Sequence, residues 1–144
     1  MATHADQLGS SGSSTDAIVA AAFAAARPQP GLLWLDIGCG RGDLLRTIKR
    51  RAEPRGLRAI DAIDWLDADL RNDVDFHLAS ADNLDVSEPA DRVLLVEVIE
   101  HLEAPWTALR QAARLVAPGG RIVVSTPNLA TACGQEMRDC SGNL

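Results

Sequence analysis

The chain has 144 residues, of which 47% are hydrophobic, so it can form one domain with a substantial core. Its formal net charge of −6 argues against the broad basic surface of proteins that bind long nucleic acids. The three cysteines form no CxxC pair and provide no disulfide framework, which fits a reducing, cytoplasmic location.

The N-terminal part of the chain is predicted to be a tail followed by a helix. Residues 1–14 are rich in Gly, Ser and Thr, which favours a disordered tail. Thr15 or Ser14 can cap a helix that continues to about Arg27, before Pro28. The apolar run within it, residues 17–26, is too short to span a bilayer, so we interpret it as a helix of a soluble domain.

Apolar runs and helical patterns alternate through the rest of the chain. Helices are predicted at about residues 42–52 and 105–116, and strands at residues 32–37, 57–64, 74–78, 92–96 and 121–125. Continuous apolar strands are typical of a parallel sheet that is covered on both faces. Together these elements predict an α/β fold with a Rossmann-like, doubly wound parallel sheet.

A glycine-rich loop joins the first predicted strand to the helix after it. Residues 35–42 read LDIGCGRG, with glycines at positions 38, 40 and 42. Glycine lets the backbone approach a cofactor, and the following helix N-terminus adds N–H groups and a positive dipole end. The spacing differs from the GxGxxG fingerprint of nicotinamide-binding proteins.

Three motifs in this chain resemble those of class I S-adenosylmethionine-dependent methyltransferases. They are LDIGCGRG at residues 35–42, VEVIEHL at residues 96–102 and LVAPGGRIVVSTPN at residues 115–128. They occur in the order that the family has, and the similarity covers about residues 31–128. The resemblance implies methyl transfer from S-adenosyl-L-methionine to an unidentified acceptor, with a small molecule that accepts the methyl group on oxygen favoured.

The resemblance also implies which residues contact the cofactor. Asp36 would pair with the methionyl ammonium, directly or through water, and the loop beside it would be formed by Gly38, Cys39 and Gly40.

An acid after the second strand would hold the ribose hydroxyls, and both Asp61 and Asp64 follow an Ala-Ile pair there. Asp64 is favoured because Trp65, next to it, could cover the adenine.

After the third strand, the family often carries an Asp that meets the adenine amine. Counting from Phe76 in the third strand, that position is Ser80 in this chain. Either Asp82 reaches the adenine amine or Ser80 takes the place of the Asp. The backbone N–H of Ala81 could also contact the ring.

The segment after the fourth strand carries Glu97, Glu100 and His101. The resemblance implies that Glu97 begins the loop beneath the sulfonium. Glu100 and His101 are the candidate acid and base toward a hydroxyl group. A similar Glu-x-x-Glu-His, with a later His, binds Mg²⁺ in metal-dependent small-RNA 2′-O-methyltransferases, which makes such an enzyme an alternative. Because no His follows His101, we assign no metal ligands.

The methyltransferase domain is expected to cover residues 15–128, and residues 129–144 are expected to form an irregular tail. The family's C-terminal antiparallel strand pair is therefore predicted to be missing. Two alternatives follow from this expectation. The chain is either an active enzyme or a cofactor-binding domain that is inactive or truncated and needs a partner, and a homodimer could cover the open sheet edge beside the fifth strand.

Overall fold

The computed structural model describes residues 15–81, 83–84 and 88–127, which share one five-stranded sheet with helices on both faces. Four of the predictions lie outside these residues. They are the two tails at residues 1–14 and 129–144, the missing C-terminal strand pair, and the role of Asp82.

The sheet is parallel throughout and has the strand order β3-β2-β1-β4-β5. The strands are β1 (Leu33–Ile37), β2 (Gly56–Asp61), β3 (Val74–Leu78), β4 (Ala90–Val96) and β5 (Val116–Ser125). The chain winds one way from β1 to β3 and the other way through β4 and β5. The predicted doubly wound sheet is thus confirmed, and its topological switch point lies between β1 and β4.

In the described part of the chain, three α-helices cover the sheet, namely α1 (Asp16–Ala25), α2 (Asp43–Arg51) and α3 (Pro105–Leu115). Short 3₁₀ turns occur at Ala68–Leu70 and Ile99–His101. α1 begins where predicted, because the Oγ1 of Thr15 accepts a hydrogen bond from the backbone N–H of Ile18 at 3.4 Å. No helix in the described parts of the chain is long and apolar enough to cross a membrane.

Each face of the sheet has its own apolar core. On one face, α1 and α2 pack against the sheet, and the rings of Phe23 and Trp34 stack with centroids 6.2 Å apart. On the other face, the fully buried Ala108 and Ala112 of α3 pack against inward-facing residues such as Leu95. All five residues of β1 are buried, as the continuous apolar pattern predicted.

A buried arginine fixes the end of α1 to the middle of the sheet. Arg92 lies on β4 and is 8% exposed. Its Nε donates to the carbonyl oxygen of Ala26, and its Nη2 donates to that of Arg27 at 3.1 Å. These bonds compensate the cost of burying the guanidinium, and they hold α1 in place over the sheet.

The second strand ends three residues earlier than predicted. β2 stops at Asp61, which pairs with Leu78 at the end of β3. The Asp61 carboxylate then accepts a hydrogen bond from the backbone N–H of Ile63 at 3.0 Å, which turns the chain away from the sheet. Asp64 therefore lies beyond the strand, in the connection to β3.

The fifth strand begins five residues earlier than predicted, because the Pro-Gly-Gly run lies inside it. The run was predicted to separate α3 from the strand, but β5 already pairs at Val116 with Ala90. The ladder then shifts register before Arg92 pairs with Arg121. Gly119, with a φ of 75°, lies in this shift, so the glycines form a bulge and not a break.

Two of the four basic residues of α2, Arg46 and Lys49, are paired with acids of the β2–β3 connection. The Nη2 of Arg46 lies 3.1 Å from Asp67 and 3.0 Å from Asp69, and the Nζ of Lys49 lies 2.6 Å from Asp73. This surface is therefore a network of paired charges.

Candidate active site

A cavity of about 780 Å³ lies at the carboxyl ends of the strands, at the switch point of the sheet. Its volume is within the range of roughly 300–1,000 Å³ that is typical of small-molecule sites. Its wall includes the loop after β1, the ends of β2 and β4, the segments after β2, β3 and β4, and the start of α1. The topology thus brings together chain segments that are distant in sequence.

The glycine loop is bound to β2 by its own amides. The N–H of Gly38 donates to the carbonyl oxygen of Ile60 at 2.7 Å, and the N–H of Gly40 donates to Oδ2 of Asp61 at 2.8 Å. Gly38 and Gly40 have φ values of 77° and 53°, in the left-handed region that favours glycine. The loop is therefore a fixed part of the cavity wall, to which Gly38, Cys39 and Gly40 all contribute.

We expected Gly38 and Gly40 to let the backbone approach a cofactor. At Gly38, and also at Gly42, a protein side chain occupies the space where a Cβ would lie. A Cβ on Gly38 would lie 2.3 Å from Cγ2 of Val98. A Cβ on Gly42 would lie 2.3 Å from Cδ1 of Leu70. At these two positions the glycine makes room for the close packing of the protein itself.

Asp36 is a buried carboxylate in the cavity wall, with 3% of its surface exposed. Within the part of the chain that the structure describes, it makes no hydrogen bond or ion pair. Burial, and next the negative charge of Asp61, raise the pKa of Asp36 to about 7. Such a group favours a cationic partner, so the wall fits a ligand that carries an ammonium group.

Asp61 and Asp64, the two candidate acids for the ribose, have different environments. Asp61 lines the cavity, and its two bonds from backbone amides leave lone pairs on both oxygens. Asp64 is not part of the cavity wall, and Nη1 of Arg71 lies 3.2 Å from its Oδ2. Hydrogen bonding to Arg71 lowers the pKa of Asp64. Sequence context favoured Asp64, whereas the geometry favours Asp61.

The residues expected near the adenine also line the cavity. Trp65 lies four residues beyond Asp61, and Ser80 and Ala81 follow the end of β3. The N–H of Ala79 donates to the carbonyl oxygen of Asp61 at 2.9 Å, so the ends of β2 and β3 are held together.

Glu97 is attached to Ser125 across the ends of β4 and β5. Its backbone N–H lies 3.2 Å from Oγ of Ser125, and that hydroxyl donates to Oε1 of Glu97 at 2.8 Å. Glu97 has a φ of 56°, an unusual conformation for a residue with a side chain, and these contacts stabilise it. Sequence reasoning did not identify Ser125 as part of the site, although it lies within the third motif.

Glu100 and His101 lie in the 3₁₀ turn after β4, and both line the cavity. Oε1 of Glu100 and Nε2 of His101 are 3.9 Å apart, close enough to attract when the imidazole is protonated. The described residues contain no group of three or more His, Cys, Asp or Glu side chains arranged to hold a metal ion.

Part of the cavity wall comes from α1, which carries no recognisable motif. Thr15 and Ile18 at the start of α1 line the cavity, as do Leu102 and Pro127 from the second and third motifs. The contribution of Thr15 and Ile18 depends on how α1 packs on the sheet, which no local pattern reveals.

Comparison with known proteins assigns the chain to a family. A family model described as a methyltransferase domain matches residues 15–140. With the parallel sheet and the glycine loop at its switch point, this match shows that the chain belongs to the class I S-adenosylmethionine-dependent methyltransferases.

Among curated proteins, the chain is similar to the ubiquinone biosynthesis O-methyltransferase of Caulobacter vibrioides, with 36% identity over 117 residues. The alignment covers 73% of this chain and 44% of the relative, so the chain spans less than half the length of that protein.

Among solved structures, the chain is similar to the S-adenosylmethionine-bound amino pentose methyltransferase CalS10 of Micromonospora echinaspora. The TM-score is 0.65 with 25% identity, over 83% of this chain and 52% of that one. The [4+2]-cyclase SpnF has the same fold, with a TM-score of 0.70 and 20% identity over 82% of this chain and 48% of that one. The fold alone therefore does not determine the reaction.

Proposed function

We propose that this protein transfers a methyl group from S-adenosyl-L-methionine to a hydroxyl oxygen of a small molecule. The observation that supports this most directly is that one cavity is lined both by the glycine loop and Asp61 and by Glu100 and His101. The names of the curated relatives, which are O-methyltransferases, favour oxygen as the accepting atom.

In this proposal, the β1–β3 half of the cavity binds the cofactor. The Asp36 carboxylate pairs with the methionyl ammonium, and Asp61 accepts hydrogen bonds from the ribose hydroxyls through its remaining lone pairs. Trp65, Ser80 and Ala81 form the wall beside the adenine. When bound, the cofactor supplies an electrophilic methyl group on its sulfonium.

The β4 half of the cavity positions the acceptor and takes up its proton. The imidazole of His101 acts as the general base toward the hydroxyl group. The carboxylate of Glu100, 3.9 Å away, stabilises the imidazolium that forms. The enzyme otherwise accelerates the displacement by holding the reacting atoms in line.

The acceptor in this proposal is small, partly apolar and without negative charge. Ile18, Leu102 and Pro127 offer apolar surface, and no Lys or Arg among the described residues lines the cavity to bind an anionic group.

Titration with S-adenosylhomocysteine tests cofactor binding, and transfer of a labelled methyl group to a panel of catechols and other small hydroxyl compounds tests the reaction. For any acceptor that is methylated, we expect His101→Gln to lower kcat by about 100-fold while the Kd for S-adenosylhomocysteine stays within twofold. An absence of S-adenosylhomocysteine binding at millimolar concentration contradicts the proposal.

A cofactor-binding domain without turnover is the second candidate. The chain spans less than half the length of its curated relatives, and a protein of the same fold is a cyclase. Binding of S-adenosylhomocysteine without methyl transfer to any acceptor would favour this alternative.

We also propose a cytoplasmic protein that forms a homodimer along β5. Within the described residues, β5 is the outermost strand on its side of the sheet, and the Val124 side chain on it is 40% exposed. Light scattering that gives the mass of one chain would contradict the dimer.

A further inference from the structure

α1 offers little side-chain surface with which to pack on the sheet. Six of its ten residues are alanine, and the buried ones are Val19, Ala22 and Phe23. Because an alanine buries much less apolar area than a leucine or a valine, such a helix is only loosely located by its side chains. The contacts at the two ends of α1 therefore contribute strongly to its position.

The C-terminal end of α1 is held by the guanidinium of Arg92, which lies on β4. Its Nε and Nη2 donate to the carbonyl oxygens of Ala26 and Arg27, and its Nη1 donates to that of Asp91 at 2.8 Å. The last carbonyls of a helix lack partners within the helix and form the negative end of its dipole. The last turn of α1 has no basic residue, so a buried cation from the sheet takes that role.

The residue before Arg92 holds the start of β1. Oδ2 of Asp91 accepts a hydrogen bond from the backbone N–H of Leu33, the first residue of that strand, at 2.8 Å. The connection between α1 and β1 also contains Pro28 and Pro30, whose rings fix φ. Two adjacent residues of β4 thus secure both ends of a short, stiff connection.

The other end of α1 forms part of the cavity wall. Thr15 and Ile18 line the cavity, and Ala26 lies about 12 Å from Ile18 along the helix axis. Arg92 is not part of the wall, and it lies about 13 Å along β4 from Val96, which is. Any effect of Arg92 on a ligand in the cavity must therefore pass through α1 or β4.

We propose that Arg92 is a positioning residue for the cofactor site, because it fixes the end of α1 and thereby the place of Thr15 and Ile18 in the wall. The inference rests on the proposed function, since the ligand that reports on the site is the cofactor product. When the anchor is lost, α1 samples more positions on the sheet, and ligand binding must then order it. The affinity for S-adenosylhomocysteine therefore falls, although the substituted residue touches no ligand.

Calorimetric titration with S-adenosylhomocysteine, well below the melting temperature of each variant, tests this proposal. We expect Arg92→Gln to raise the Kd by about fivefold or more. Arg121→Gln is the matched control and should change the Kd by less than about twofold. Arg121 pairs with Arg92 in the ladder of β4 and β5, so the control removes the same charge from the adjacent strand. No hydrogen bond from Arg121 to α1 occurs in the described part of the chain.

Hydrogen exchange of the backbone amides distinguishes a positioned helix from a generally weakened fold. In Arg92→Gln the amides of α1 should exchange about tenfold faster or more, whereas those of the central strand β1 should change by less than about twofold. Equal acceleration in α1 and β1 would overturn the proposal, because the loss of affinity would then come from global destabilisation.

Combined substitutions test whether the effect passes through α1. Ile18→Ala shortens a side chain by which α1 reaches the cavity, so in that background Arg92→Gln should raise the Kd by only about twofold. If the full loss persists in the Ile18→Ala background, the effect passes through β4 and the proposal is wrong.

Arg92→Lys provides a second, milder variant in case Arg92→Gln does not fold. It keeps the buried charge but has one nitrogen in place of three, so it cannot reach all three carbonyls. We expect a smaller loss of affinity and the same local rise of exchange in α1. Wild-type affinity in every Arg92 variant that folds would overturn the inference and leave the proposed function intact. If the wild-type protein itself does not bind S-adenosylhomocysteine at millimolar concentration, the proposed function is wrong.

Discussion

The buried carboxyl group of Asp36 makes the stability of the folded protein depend on pH. Its carboxylate is held in a wall where burial and Asp61 disfavour the ionised form. Because its pKa is about 7 in the folded protein and 3.8 is the ordinary value, ionisation opposes folding as the pH rises between these two values. This destabilising contribution of Asp36 to the free energy of unfolding is absent below about pH 4 and fully present above about pH 7.

We predict that Asp36→Asn raises the melting temperature relative to the wild type at pH 8 and has a much smaller effect at pH 5. The amide at position 36 has no charge to desolvate, so the stability of the variant lacks the pH dependence that Asp36 causes in the wild type. Thermal melts in matched buffers at both pH values measure the difference. Asp64→Asn is the control, since the pKa of Asp64 is lowered and its carboxylate is ionised in both states across this interval. If the melting temperatures of the wild type and of Asp36→Asn differ by the same amount at pH 5 and pH 8, the prediction is wrong.

The ribose acid can be identified by a pair of substitutions. We predict that Asp61→Ala weakens binding of S-adenosylhomocysteine by about 10- to 100-fold, since a charged hydrogen-bond acceptor contributes about 1.5–3 kcal/mol. Asp64→Ala should change the affinity less than twofold, because Asp64 lies outside the cavity wall and pairs with Arg71. Calorimetry on both variants measures this, and a larger loss from Asp64→Ala would restore the assignment favoured by sequence context.

At the level of elements, the site depends on how the segment after β4 fits against the loop after β1. Val98 fills the space beside Gly38, and the bonds between Glu97 and Ser125 hold the start of that segment. The 3₁₀ turn that carries Glu100 and His101 follows directly. Packing in one loop therefore determines where the candidate base lies.

Gly31 and Gly38 allow this packing to be tested, since both have a φ of 77° but only Gly38 has a close neighbour. We predict that Gly31→Ala costs about 1–2 kcal/mol of unfolding free energy, from the left-handed backbone alone. Gly38→Ala should cost about 1–3 kcal/mol more, because its Cβ would overlap Val98.

Urea unfolding measures both values, and the background of Val98→Ala provides the matched control. In that background the Cγ atoms are gone, so the difference between the two alanine variants should shrink. Equal costs for Gly31→Ala and Gly38→Ala in the wild-type background would show that the contact does not constrain the loop.

At the scale of the whole molecule, seven of the 13 basic residues in the described part of the chain pair with acids or with backbone carbonyls. The Nη2 of Arg58 lies 2.7 Å from Oε2 of Glu88, and the Nη1 of Arg55 lies 3.3 Å from Oε1 of the same residue. With a net charge of −6, the protein as a whole repels the phosphates of a nucleic acid.

We predict that the protein does not bind a 20-nucleotide single-stranded RNA below about 100 μM at physiological salt. Fluorescence anisotropy with a labelled oligonucleotide measures this, and polylysine serves as a positive control for the probe. Binding at low micromolar concentration that weakens steeply with salt would contradict the prediction and reopen the RNA methyltransferase alternative.

The sequence by itself determined the fold class, the parallel sheet and the membership of the methyltransferase family. Continuous apolar strands such as β1, and the helices between the strands, are local patterns that reflect burial on both faces of a sheet. The glycine loop and the two later motifs are local as well, so the carboxyl ends of the strands could be predicted as the place of the site.

The tertiary structure decided which residues meet at that place. The end of β2 at Asp61, the use of the Gly38 space by Val98 and the contribution of α1 to the cavity wall all depend on contacts between distant segments. The burial of the Asp36 carboxylate and the pairing of basic residues with acids also emerge only when the chain is folded. The order of charged residues in a sequence does not give the distances between them in the folded protein, and charge pairing and burial depend on those distances.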